Sequence, residues 1–414
     1  MINFSNSLED FRRHVPVAGQ CAYLITASTG LIPDFIYDGV RRYHEERYRK
    51  GGDSTWLYED GIVGTLEMME RSKAAIGEMI GCSSAQIAFG QSATQMFTMV
   101  TEGIDYAPGA NVVTVGEGWI GNRFAWQKRE SEGLEVRYVK AENGVITAEE
   151  LINQCDEHTA AVTVNLVESN TGYRVDIDKL GTFCTEHGIL LFVDAVQAAG
   201  ALSIDVKKSK IDFLVGNDYK WMMNFCGTGY AYIGPKVEPL IRHWGAGWMS
   251  DQDRFDTSKS HLQLRQDAGK FEIGYPHADG IYGLGLAAMQ YNLLGKEQIE
   301  TYVCSLAEEC QKQAESIPGI HCTYNMPQEK RCQILLLSLE NSLSVSDEDF
   351  KKARVVVPAM EEKNSSGDRT MRLSFHYYNN REDIERFFSV IRQAVMKGEC
   401  VWEHLKNTVG KRKK

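Results

Sequence analysis

No apolar run in this 414-residue chain approaches the length of a membrane span; residues 334–339 are among the longest, which argues against a transmembrane helix. The opening residues, MINFSNSLEDFRRHVP, lack the apolar core that a secretory signal needs. The ten cysteines are scattered, with no CxxC pair and no His-rich cluster. That disfavours a disulfide framework or a metal site, and points to free thiols in a reducing, cytoplasmic setting. A basic face is missing too. Acidic residues number 56 against 45 basic ones, a formal net charge of −11, so nucleic acid is not an expected partner. The basic end Lys411–Lys414 is short and terminal, and reads as a solvated tail. GxxxxGK[ST], HExxH and GxSxG are all absent, which removes P-loop, zincin and α/β-hydrolase chemistry. What remains is 43% apolar, ordinary for a globular protein and long enough for two domains.

The informative stretch runs from residue 188 to 229, GILLFVDAVQAAGALSIDVKKSKIDFLVGNDYKWMMNFCGTG. Two apolar, strand-like runs, 189–193 and 212–215, lead into Asp194 and Lys220. In open α/β sheets, ligands sit beyond the carboxyl ends of the strands. A buried lysine amine forms a Schiff base with an aldehyde, and a carboxylate facing a pyridine nitrogen keeps it protonated. The pair suits pyridoxal 5′-phosphate (PLP). Taken singly, a strand-capping aspartate and a solvated lysine explain the same letters equally well.

VDAVQAAGALSIDV, IDFLVGNDYKW and GTGYAYI together resemble the cofactor-binding core of the class V aminotransferase and cysteine desulfurase superfamily, and the likeness extends from about Tyr23 to about Phe388. The resemblance implies a PLP-dependent α/β transferase of fold type I. Its large domain holds a mainly parallel sheet with helices on both faces, and a small α/β domain follows. We divide the chain into an N-terminal segment packing on the small domain (1–50), a PLP-binding domain (51–290) and a C-terminal domain (291–414). Residue pattern alone gives the last part as helix, strand, strand, strand, helix, with its first helix at 297–316. A helix over 61–80 and another over 147–155 are also expected.

The resemblance also assigns site residues. Ala93 and Thr94, in GQSATQ, hold the cofactor phosphate at a helix N-terminus; capping by Ser92 or Thr94 is the plainer reading. Trp119 stacks on the ring, where a core tryptophan is the alternative. Asp194 meets the ring nitrogen and Gln197 the ring oxygen. Asn217 and Tyr219 flank the phosphate, and Lys220 binds the aldehyde. Asn170, in SNTG, contacts the substrate carboxylate or the ring oxygen, though the same letters make a turn. Arg372, in MRLSFHYYNN, forks onto the substrate carboxylate. GKFEIGYPHADG matches the family's FExGTPN segment, which crosses to a partner's phosphate in dimeric relatives; Tyr275 and His277 occupy its Thr and Asn positions. Gly283-x-Gly285-x-x-Ala288 follows no strand, so it reads as helix packing rather than a dinucleotide site.

The expectation is therefore a cytoplasmic PLP enzyme acting on an amino acid, a homodimer with its site at the subunit interface. The first choice is a C–S lyase for cysteine or a cysteine conjugate. VVVPAMEEKNSSGDRT, where desulfurases carry a nucleophilic cysteine, has none. An aminotransferase, an epimerase, a kynureninase-like hydrolase and a non-catalytic PLP-binding protein are the alternatives.

Overall fold

The computed structural model describes residues 2–51, 64–141, 145–324, 330–340, 343–359 and 367–411, with side chains as far as residue 396. Gly52, residues 61–63 of the expected 61–80 helix, residues 360–366 and the end of the basic tail lie outside the described residues.

β-branched and aromatic runs set the strands. In chain order these are β1 (Ala22–Tyr23), β2 (Ile87–Gly90), β3 (Asn111–Val115), β4 (Glu135–Val139), β5 (Thr159–Asn165), β6 (Leu190–Asp194), β7 (Phe213–Asn217), β8 (Gly229–Ile233), β9 (Ile320–Cys322), β10 (Ile334–Leu339), β11 (Val355–Val356) and β12 (Arg369–Ser374). Seven of them form one sheet in the order β2-β8-β7-β6-β5-β3-β4. The pairs from β7 to β4 are parallel, while β8 runs antiparallel to both β7 and β2. Every strand but β8 therefore points the same way. The residues after β2, β3, β5, β6 and β7 all emerge at one edge, where a ligand site in such a sheet belongs.

Alternate strand residues serve two apolar layers. Val113, Val162, Leu191 and Leu214 face one layer with the helices Thr65–Ile80 and Ala278–Leu294. Val112, Ala161, Phe192 and Phe213 face the other, against Phe97 of the helix Ala93–Gly103 and Trp126 of the helix Ile120–Ser131. This is the α/β architecture the sequence implied. Gly283 and Gly285 lie against Asn224 and Ser72, as expected for close helix packing.

A second sheet, β12-β10-β9, is antiparallel. It packs with the helix Lys296–Glu315 and with Ile384, Phe387, Phe388 and Ile391 of the helix Arg381–Lys411. The N-terminal segment joins it: β1 pairs in parallel with β11, and Ile25 bridges Ser374. Arg12 forks onto Asp383 at 2.7 and 2.9 Å.

The expected 147–155 helix is shorter, Ala148–Ile152. Thr147 and Glu150 cap its start reciprocally, and Asn153 follows as its C-cap; asparagine favours caps and turns over helix interiors. Lys73, on the Thr65–Ile80 helix, is almost fully buried and meets the equally buried Glu272 at 3.0 Å. The other oxygen of Glu272 accepts the Phe89 N–H at 2.9 Å, so one carboxylate ties a helix to β2.

Candidate active site

Lys220 lies beyond the end of β7 and is only 7% exposed. Burial pulls its amine down to about 8; the Arg372 charge adds to that, and Asp194 opposes it. Its Nζ stands 5.5 Å from the Trp119 ring centroid and 6.0 Å from that of Tyr219. Trp119 begins the Ile120–Ser131 helix and is half-exposed, leaving part of its ring available to a flat ligand.

Asp194 closes β6, where Asn165 and Val215 pair on either side. Its Oδ1 accepts the Val196 N–H at 2.8 Å, and its Oδ2 accepts Asn122 Nδ2 at 2.6 Å. Burial raises its pKa, while those donors and the Lys220 charge oppose the rise.

After β2, Ser92 caps the Ala93–Gly103 helix by accepting the Gln95 N–H. The N–H groups of Ala93 and Thr94, at the start of that helix, have no carbonyl four residues back. A β-carbon on Gly229 would come within 2.3 Å of Ser92 and 2.4 Å of Ala93, so only glycine lets β8 start directly beneath this helix end. Thr94 is exposed, and a β-carbon on Gly121 would touch both Thr94 Oγ1 and the Trp119 indole. Asn217 is buried at the end of β7, and its side chain hydrogen-bonds Tyr219.

Gln197 is held at both ends: Nε2 donates to Ala27 O at 3.0 Å, and Oε1 accepts Trp221 Nε1 at 2.9 Å. One amide N–H is used there; the group has two. The N-terminal segment closes over this floor. Gly30 N donates to Tyr219 O at 2.8 Å, and a β-carbon at Gly30 would sit 2.0 Å from Lys220 O. Arg372, from β12, donates to Ser169 O at 2.6 Å and to Ser28 Oγ at 2.9 Å. That brings it beside exposed Asn170, whose Oδ1 accepts from Ser169 Oγ at 3.4 Å.

Tyr275 stands apart from this cluster. Its ring stacks on Trp248 at 6.3 Å, and it lines a cleft of about 670 Å³ with Gln91, Gln95, Trp244 and Phe271. His277 reaches Thr228 at 3.0 Å and Asp279 at 3.1 Å.

Sequence reasoning missed Asn122, Asn165 and Glu168. Asn122 is one helical turn beyond Trp119, a spacing that puts both on one face. Asn165 is a polar residue ending a buried β-branched run. Those two signals were present; Glu168 gave none.

The donor set suits a phosphorylated pyridine aldehyde. It combines a helix end with unmatched N–H groups, a buried carboxylate, a flat indole and a lysine amine held down to about 8. The comparisons agree. The protein is similar to a probable cysteine desulfurase of Methanothermobacter thermautotrophicus, 27% identical over 91% of this chain and 95% of that one. A probable cysteine desulfurase of Pyrococcus abyssi is 24% identical over 94% and 97%. Among solved structures, an apo cysteine desulfurase from Thermococcus onnurineus superposes with a TM-score of 0.80 at 20% identity, covering 96% of this chain and 99% of that one. The cystine C–S lyase C-DES, in complex with its product cysteine persulfide, gives 0.78 at 17% identity, covering 92% and 99%. The sequence model described as "Aminotransferase class-V" matches residues 22–387, and the chain therefore belongs to the class-V aminotransferase family of PLP-dependent enzymes.

Proposed function

We propose that this enzyme is a C–S lyase that removes the β-sulfur of cysteine or a cysteine conjugate by elimination. The observation that carries a PLP reading of the site is Lys220: a buried amine, lowered to about 8, between an indole face and a buried carboxylate. The cysteine desulfurase and cystine lyase relatives support sulfur chemistry. Residues 355–370 contain no cysteine, so sulfur leaves the substrate without a protein persulfide in that stretch.

Ala93, Thr94, Asn217 and Tyr219 are assigned to the cofactor phosphate, Trp119 to its ring face, Asp194 to its ring nitrogen and Gln197 to its ring oxygen. When bound, PLP supplies an electron sink for the bond broken at the substrate's α-carbon. Arg372 and Asn170 bind and orient the substrate carboxylate, a fork that lysine cannot reproduce. Lys220 removes the α-proton, its lowered basicity matching it to neutral pH. Overall, cysteine and water give pyruvate, ammonia and hydrogen sulfide.

We also propose a cytoplasmic homodimer in which Tyr275 serves the second copy's phosphate site. Trp248, Phe255, Ile273 and Tyr275 are 41, 71, 51 and 51% exposed, an apolar surface suited to a second copy. The units 51–290 and 291–414, with residues 1–50 folded onto the latter, are our working domains; the separate β12-β10-β9 sheet supports them.

Incubating the loaded enzyme with cysteine and with cystine tests the reaction. Equimolar pyruvate and sulfide are expected from cysteine, and equimolar pyruvate and cysteine persulfide from cystine. A new amino acid formed from an added keto acid, with no sulfide, would replace the lyase reading by transamination. That second reading draws on the family's description and on a relative from Bacillus subtilis described as an uncharacterized aminotransferase, 21% identical.

The lysine makes a pH prediction. Only the neutral amine attacks an aldehyde. An amine at about 8 has roughly 300-fold more free base at pH 7 than an ordinary lysine. Capture of PLP by apoprotein should accelerate as pH rises, with its half-point near 8. A half-point near that of free lysine, followed by stopped-flow absorbance, would mean that the amine is not desolvated.

A further inference from the structure

Behind Asp194 lies a chain of buried polar groups to which the proposed function gives no role. Asn122 Nδ2 donates to Asp194 Oδ2 at 2.6 Å and to Asn165 Oδ1 at 3.1 Å. Asn165 Nδ2 in turn donates to Glu168 Oε1. Asn122, Asn165, Glu168 and Asp194 are 7, 8, 8 and 6% exposed. The direction of each bond is forced. An ionised carboxylate only accepts, so Asn122 turns its nitrogen to Asp194. The other N–H of that nitrogen then requires an oxygen from Asn165, which leaves the Asn165 nitrogen for Glu168. The backbone of Glu168 is fixed as well: its N–H donates to Tyr173 O, and its carbonyl accepts the Gly172 N–H, both at 2.9 Å.

We propose that Glu168 is a positioning residue for the ring-facing carboxylate: through Asn165 and Asn122 it fixes the orientation of Asp194, and its charge biases how firmly the cofactor's ring nitrogen keeps its proton. The inference rests on the PLP reading of the site. The charged groups facing Glu168 are Asp194, at the end of β6, and Glu117, from the loop after β3; both are acidic. Burial pushes Glu168 up to about 7, and the Asp194 charge adds to the rise, while the Asn165 bond opposes it. Near neutral pH the far end of the chain therefore changes charge while the near end stays oriented. Above the half-point the added negative charge favours a protonated ring; below it that assistance is lost.

Two variants separate orientation from charge. Glu168→Gln keeps an oxygen for Asn165 but cannot ionise. Glu168→Leu removes the acceptor and frees both amides. Absorption spectra of loaded protein are recorded against pH, and PLP affinity is measured by fluorescence quenching, with circular dichroism verifying the fold. Wild type is expected to show a spectral step of the bound cofactor near pH 7, distinct from any step near 8. Glu168→Gln should lose that step and keep its affinity within about threefold; Glu168→Leu should bind PLP about tenfold more weakly. If Glu168→Gln retains the step unchanged, the charge role is overturned. Unchanged PLP affinity in a folded Glu168→Leu protein overturns the orienting role. A wild type with no visible cofactor band defeats the PLP reading itself, a result neither variant can mimic.

Discussion

Lys220→Ala is expected to lose the visible absorption of the loaded protein and to slow turnover by at least about 10²–10⁴-fold. Two functions disappear together. In the proposed mechanism the amine that captures the aldehyde is gone, and so is the base nearest the substrate's α-carbon. The position cannot be served from elsewhere without rebuilding the floor, because the Lys220 carbonyl lies where any β-carbon on Gly30 would go and Tyr219 O accepts the Gly30 N–H. Lys220→Arg is the companion variant. It keeps positive charge near Asp194 and Trp119 but has no neutral amine in the accessible range, so it should fail equally. A visible band that survives borohydride reduction and dialysis in Lys220→Ala would place the covalent attachment at another residue.

The second large effect falls on stability. Lys73→Ala should lower the free energy of unfolding by about 3–5 kcal/mol, because it leaves the buried Glu272 carboxylate without its cation. Against a typical total of about 5–15 kcal/mol, this is a substantial share. Lys73→Ala/Glu272→Leu should recover only part of the loss. The buried charge is then gone, but the Phe89 N–H, which Glu272 Oε1 accepts at 2.9 Å, is left unmatched near the end of β2. Urea unfolding followed by tryptophan fluorescence measures both. A loss below about 1 kcal/mol in the single variant would mean that the pair is far better hydrated than its exposures of 2 and 3% indicate.

The parts of this molecule readable from sequence are those where one residue type has one physical use. The strand-like runs at 189–193 and 212–215 fall within one or two residues of β6 and β7 at each end, since short apolar runs bounded by turn residues leave little choice of period. Lys220 and Asp194 stand out in the sequence because few side chains suit an aldehyde or a pyridine nitrogen, and both are buried at the same edge of the sheet, after β7 and at the end of β6. Asn122 was harder: it lies 43 residues from Asn165 and 72 from Asp194, and an amide has no chemistry until its partners arrive. Glu168 sits in a stretch whose Ser, Asn, Thr and Gly read as a turn, and a carboxylate beside a turn is ordinarily solvated. Ser28 meets Arg372, 344 positions away, a pairing that no local pattern announces. The 147–155 helix was overextended because periodicity does not register where capping stops.

The pairing of β1 with β11, and of Ile25 with Ser374, has a bearing on how the protein is made. Residues 22–25 must wait until residues 355, 356 and 374 have been made before the entrance around Ser28 and Gly30 can close over Lys220. A nascent chain stalled before residue 355 would carry the whole seven-stranded sheet with Lys220 uncovered, and such exposed intermediates are what chaperones bind.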